Sequence, residues 1–263
     1  MSTTQDPASL AFQAGDLSGA LAATIAAVRG NPRDSGLRWL LAEFFLLNGE
    51  VDRADKALDA VLQAEPSPAV LEFRHLLRGE QQRHAFFASG ALPRFQGDDP
   101  TPAQRAALRA LTLARAGDAE GATVAAEEAE TLRPRIAGSA DGTAFDDFRD
   151  ADDIFAPQLE VLTSGGDAMW VPLERIAQLA FEPIRRARDL AWRRATLVLK
   201  DGTEGLVFVP MLYPQKADND AQKLGRETVW SETPGPVRGT GLRLWLAGEG
   251  ALTPAEITRL DFA

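Results

Sequence analysis

His75 and His84 are the residues best suited to metal binding or proton transfer in a chain that holds no cysteine. They lie nine positions apart, which on one helix sets them on roughly opposite faces at about 100° per residue. No third ligand of the usual kind accompanies them, so the spacing argues against a shared metal. Adjacent carboxylates such as Asp152 and Asp153 have the chemistry for acid–base work, but on a helix they too diverge by about 100°. Ser164-Gly165-Gly166 lacks the following helix that a nucleophile elbow needs and reads as a turn between strands. Phosphate loops, dinucleotide fingerprints and zinc-protease motifs are absent from the sequence. These residue types predict a protein that is not an enzyme and carries neither metal nor cofactor.

One basic run stands out. Arg185, Arg186, Arg188, Arg193 and Arg194 crowd into FEPIRRARDLAWRRA, with Trp192 among them. Such a run can be a patch for an acidic protein or nucleic acid. It can equally be an exposed helix between strands, its arginines paired with Glu182, Asp189 and carboxylates of neighbouring strands. Against the first reading stands the net charge of −10, with 22 acidic and 15 basic residues in 1–150 and 16 against 13 in 151–263. That balance disfavours sequence-independent nucleic-acid binding. No apolar run approaches the roughly 20 residues that span a bilayer, and MSTTQDPASL lacks the basic then apolar character of a signal peptide. The expectation is a cytoplasmic protein with no membrane partner.

The elements that position these residues begin with a helical hairpin over 37–66, LRWLLAEFFLLNGEVDRADKALDAVLQAEP. Apolar residues recur at helical spacing on both sides of Asn48-Gly49, and Pro66 forbids continuation. The unit repeats. Pro32, Pro66, Pro100 and Pro134 lie 34 apart, as do Ala20, Ala54, Ala88 and Ala122. Gly15, Gly49 and Gly117 share the period, with Arg83 at the missing rung. A period of about 34 is that of tetratricopeptide repeats, in which small Ala allows close helix approach, Gly supplies the left-handed turn and Pro ends the unit. The third unit, 69–102, departs from the pattern and predicts irregular helices with a loop at LPRFQGDDP. In such stacks the first helices line a concave surface. The template positions that face it are Ser9 and Phe12, then Trp39, Glu43 and Leu46, then Ala107 and Leu111. A Trp with apolar neighbours on a concave helical face suits an inserted amphipathic helix, or simple packing against the next repeat.

From 137 to 154 six aspartates accumulate, without the alternate ligands and distal Glu of an EF-hand; a linker with a short helix is expected. Beyond it the period changes to two. LEVLTSGGDAMWVPL and ATLVLKDGTEGLVFVPML read as strand pairs turning at Gly165-Gly166 and Asp201-Gly202. Ile176-x-x-Leu179-x-Phe181 is echoed by Ile257-x-x-Leu260-x-Phe262. The fold class is therefore α+β: a tetratricopeptide-like helical array over 1–136, an Asp-rich linker over 137–154, and a mainly β domain over 155–263, a small twisted or barrel-like sheet.

The later motifs run in a recognisable order. RDADD spans Arg149 to Asp153, WVPLERI spans Trp170 to Ile176, and FEP-x-RR-x-RDL-x-WR spans Phe181 to Arg193. DGTEGLVFVP-x-LYP, LGRETVW and G-x-G-x-R at Gly239 to Arg243 follow. Together with the Gly-Glu hairpin turn they resemble the ImpE family, also called TagJ, of bacterial type VI secretion. The resemblance covers nearly the whole chain. It implies a cytoplasmic, non-enzymatic adaptor that binds the N-terminal helix of the small sheath protein TssB and is linked to sheath handling by the ClpV ATPase.

Overall fold

The computed structural model describes residues 6–97 and 99–263. The first residues of MSTTQDPASL, and Asp98 within the LPRFQGDDP loop, lie outside the described residues. The helical part runs α1 (Pro7–Ala14), α2 (Leu17–Gly30), α3 (Ser35–Leu47), α4 (Val51–Ala64) and α5 (Pro68–Ala88), then β1 (Arg94–Phe95), α6 (Pro102–Arg115) and α7 (Ala119–Leu132). Local chemistry starts and stops these helices as the repeat requires. Asp6, Asp16, Asp34 and Asp118 accept hydrogen bonds from backbone amides of the first turns, and Thr101 forms a capping box with Gln104. Gly15, Gly49 and Gly117 make the hairpin turns at φ of 86°, 78° and 82°, where a side chain would be strained. Ala20, Ala54 and Ala122 are wholly buried at the hairpin seams.

The helical part of the third unit is not irregular but one continuous 21-residue helix, α5, and the stretch that follows it is non-helical, as expected, apart from the short strand β1. Arg83, at the position where the other units carry Gly, lies inside that helix, and Ala88, the third rung of the alanine ladder, is exposed near its end. With no turn residue at 83 the backbone has no reason to break there.

The predicted linker helix is also corrected. Residues 138–150 form β2 (Gly138–Ala140), β3 (Thr143–Phe145) and β4 (Phe148–Asp150). Gly142, at φ 86°, sits in the turn between β2 and β3, which pair directly. The remaining strands are β5 (Gln158–Thr163), β6 (Ala168–Pro172), β7 (Ile176–Phe181), β8 (Trp192–Leu199) and β9 (Glu204–Pro210), and, after the short helix α8 (Asp220–Lys223), β10 (Thr228–Trp230), β11 (Gly239–Gly241), β12 (Trp245–Ala247), β13 (Gly250–Leu252) and β14 (Arg259–Phe262).

Nine strands make one open sheet in the order β1-β6-β5-β9-β8-β7-β14-β2-β3, so the sheet is not a closed barrel. The two echoed segments are β7 and β14, and they pair with Leu179 opposite Leu260. One core runs from α1–α5 through Leu162, Ala168, Trp192 and Phe208 of the sheet. A second lies among sheet residues such as Val161, Leu179, Val209 and Trp245. A third joins α6 and α7 to Ile154, Phe155, Trp170 and Tyr213. Helices and sheet thus share buried side chains on either side of residue 136. The hairpin seam itself is tight: Ala54→Leu should overpack it and lower stability by about 1–3 kcal/mol. Thermal melting reads this directly, and a variant that melts with the wild type would contradict the register.

Candidate protein-binding cleft

The long helix α5 is where the helical stack meets the sheet. Val70, Phe73, Leu76 and Leu77 bury its apolar stripe, and Gly79, Glu80 and Arg83 continue that stripe as buried residues. Glycine at 79 allows the approach: a methyl there would stand 3.3 Å from Leu162 and 3.4 Å from the Gly166 carbonyl. The Ser164-Gly165-Gly166 turn docks on the helix, with the Ser164 carbonyl 3.2 Å from His75 Nδ1 and the Gly166 carbonyl accepting from Gln82.

Beneath this contact runs a chain of buried charges. Arg83 donates to Glu80 at 2.9 Å, to Glu160 of β5 at 2.8 Å and to the Leu212 carbonyl at 2.6 Å. Glu160 also accepts from Arg243 at 2.9 Å, and Arg243 reaches Asp150 at 2.8 Å. The Tyr213 hydroxyl donates to the same Asp150 carboxylate at 2.8 Å. At the other end the Trp192 indole donates to Glu80 at 2.8 Å, and His84 Nε2 lies 3.0 Å from it. Burial opposes the charged form of Glu80, but Arg83, His84 and the Trp192 indole together hold its carboxyl well below the usual range. Burial pushes the Asp150 carboxyl up to about 6, with Arg243 opposing the rise and Asp152 adding to it.

A cleft of about 620 Å³ opens over the Glu80 end of this chain. Leu46 and Leu47 of α3, Phe87 of α5, and Trp192 form apolar walls, and Lys216 and Lys223 come from the segment between β9 and β10. That segment straps the sheet to the hairpin turns. Lys223 donates to Asn48, Asp220 accepts from Ser18, and the Arg226 guanidinium reaches the Phe12 and Gln13 carbonyls. Among the described residues no serine, threonine or cysteine lines the cleft, and Glu80 is already paired with Arg83.

The residues selected from the sequence separate into different places. Leu46 is buried and lines the cleft. Trp39 and Glu43 instead line a shallower depression with Gly36, Leu40 and Arg186. There Trp39 is half-buried, its indole donates to Glu43 at 2.8 Å, and its ring packs on Phe73 beneath Arg186 and Arg188. Glu43 is buried, and burial raises its carboxyl against the opposing hydrogen bond from Trp39 and the charges of Arg188 and Arg186. Phe12 is half-buried against Phe44, and Leu111 is buried with Phe155 in the core of α6 and α7. The concave face is therefore partly filled by the chain itself, because the 3-10 turn Ala187–Leu190 packs on α3.

The same turn dissolves the basic patch. Arg188 is buried over Phe73 and paired with Glu72, and Arg193 is buried and donates to the Pro254 and Ile257 carbonyls. Arg194 pairs with Glu182, while Arg185 and Arg186 are exposed beside Asp189, which accepts from their backbone amides. The five side chains do not share a surface, and the segment is a turn and a strand rather than a helix. What the sequence reading missed was α5: Glu80, Arg83 and His84 carry the polar centre. The signal was present in the loss of the Gly rung at 83.

A curated relative from Pseudomonas aeruginosa, the type VI secretion system accessory component TagJ, is 32% identical over 257 residues, covering 95% of this chain and 89% of its own. The chain belongs to the ImpE family. The ImpE protein model matches residues 142–261, and a tetratricopeptide repeat model matches 11–75. The crystal structure of protein VPA1032 from Vibrio parahaemolyticus superposes with a TM-score of 0.90 at 29% identity, covering 97% of both chains. The motifs that carried the ImpE resemblance turn out to hold the joint: Asp150 and Asp152 of RDADD, Trp192 of the FEP motif and Arg243 of G-x-G-x-R are all buried.

The two displaced carboxyls give the ImpE joint a pH signature. Asp150 titrates above its ordinary 3.8, so its contribution to stability should grow as pH falls from about 6 toward 3.8. Glu80 titrates below its ordinary 4.5, so its contribution is present above that value and is lost as pH falls further. The melting temperature should therefore rise between pH 7 and pH 5 by an amount that Asp150→Asn removes. An identical profile in the variant would contradict the assignment.

Proposed function

We propose that this chain is a non-enzymatic adaptor of a bacterial type VI secretion system. It binds the N-terminal helix of a small sheath protein of the TssB type and is thereby linked, indirectly, to sheath handling by a ClpV-type ATPase in the cytoplasm. The observation that carries this reading is the cleft between α3, α5 and the Leu212–Lys223 strap. It is large, apolar-walled and held open by elements that the buried ion chain locks together. A helix binds such a site by seating a few large apolar side chains, with affinity concentrated in those anchors. Among the described residues no helix is long and apolar enough to cross a membrane. Membership of a family with an accessory component of type VI secretion, and the tetratricopeptide repeats, support a protein partner.

Ala88 lines the cleft yet is exposed, so Ala88→Trp fills the opening without removing core. Calorimetry with the sheath-protein helix should record a loss of about 2 kcal/mol or more for this variant. Trp39→Ala, on the separate depression, should bind as wild type. Loss with Trp39→Ala alone would move the partner to the Arg186 side and overturn the choice of cleft.

A further inference from the structure

The cleft differs in charge from the protein that surrounds it. The chain carries a net −10, yet the ionised side chains lining the cleft are one carboxylate, Glu80, against Arg83, Lys216 and Lys223. Glu80 and Arg83 satisfy one another, and Arg83 spends its remaining donors on Glu160 and the Leu212 carbonyl. The lysines are different. Lys216 is exposed and has no hydrogen-bond or ion-pair partner among the described residues. Lys223 donates to Asn48 at 2.8 Å and lies 3.9 Å from Asp220, which leaves ammonium hydrogens for another acceptor. His84, at the same cleft, turns one ring nitrogen to Glu80, and its side chain is 43% exposed. Apolar walls from Leu46, Leu47, Phe87 and Trp192 thus sit beside a cationic edge. The Trp39 depression lacks this asymmetry, since Glu43 faces Arg186 there.

We infer that the cleft selects an amphipathic helix whose apolar face is flanked by aspartate or glutamate, with Lys216 and Lys223 receiving the carboxylates. The inference rests on the adaptor reading above and adds the charge of the partner. An edge of solvent-reaching cations in an acidic protein attracts an acidic segment and repels a basic one, and such charges act mainly on specificity and association rate. Because both lysines reach solvent, their effect is screened by salt.

The test uses the full chain and fluorescence anisotropy with three probes: the N-terminal helix peptide of a TssB-type sheath protein, a synthetic leucine–glutamate amphipathic helix, and its leucine–lysine counterpart. The variant is Lys216→Glu with Lys223→Glu; Lys216→Glu alone, at an exposed and unpartnered position, guards against misfolding. The acidic helix should bind, the basic one should not, and the double variant should weaken the acidic helix about tenfold at about 50 mM salt and less at high salt. Equal binding of acidic and basic helices would overturn the inference. Binding of the sheath peptide that both variants leave unchanged would overturn it alone and leave the adaptor reading intact. An acidic helix held in a lysine-dependent way, with the sheath peptide ignored, would uphold it and remove the named partner. Failure of all three probes would overturn both.

Discussion

A line of alternating buried charges, Glu80–Arg83–Glu160–Arg243–Asp150, is the constraint on which this structure depends. Each ion has lost its water, so each is tolerable only while its neighbours stay in place. Arg83 comes from the helical stack, Glu160 from the central region of the sheet, and Arg243 and Asp150 from segments far apart in sequence. Apolar packing would let helices and sheet slide to several similar contacts. The charges accept one arrangement, because a shift of a few ångströms would leave carboxylates and guanidinium groups unpaired in a medium that cannot solvate them.

The cleft is a consequence of that arrangement. Its walls belong to α3, α5, Trp192 and the strap before α8, and none of these elements alone forms a concavity. The ion chain sets the distance between helix and sheet. The hydrogen bonds from Lys223, Ser18 and Arg226 then tie the strap over the hairpin turns. The surface therefore combines elements fixed by charge with a partly exposed stretch, 215–219. That combination suits the helix capture proposed for the cleft.

How far this was legible in the sequence follows from the range of the interactions involved. The hairpins of the first two units and of α6 and α7 are set by local rules of capping, glycine turns and small-residue seams, and they were readable from one period. The β strands after residue 155, their turns and the echo of β7 in β14 were readable from alternation. What escaped reading depends on distant partners. FDDFRDADD reads as a linker with a short helix because its aspartates carry no local sign that Arg133, Arg238 and Arg243 will meet them. The arginines of FEPIRRARDLAWRRA looked exposed for the same reason, whereas Arg188 and Arg193 are interior. Trp39 and Leu111 were chosen on a template that assumes an empty concave face, and this chain fills that face from its own second half. The family motifs hold residues of both places: Asp150, Asp152 and Arg243 are buried in the joint, and Trp192, Leu212 and Tyr213 line the cleft as well.

The most direct test of this account is a double-mutant cycle on Arg83→Met and Glu160→Gln, measured by denaturant unfolding. If the buried charges fix the joint, each single change should cost about 3–5 kcal/mol and the pair should cost well below the sum, because the second change removes the charge stranded by the first. Additive costs, or single changes below about 1 kcal/mol, would mean that apolar packing alone holds helices to sheet.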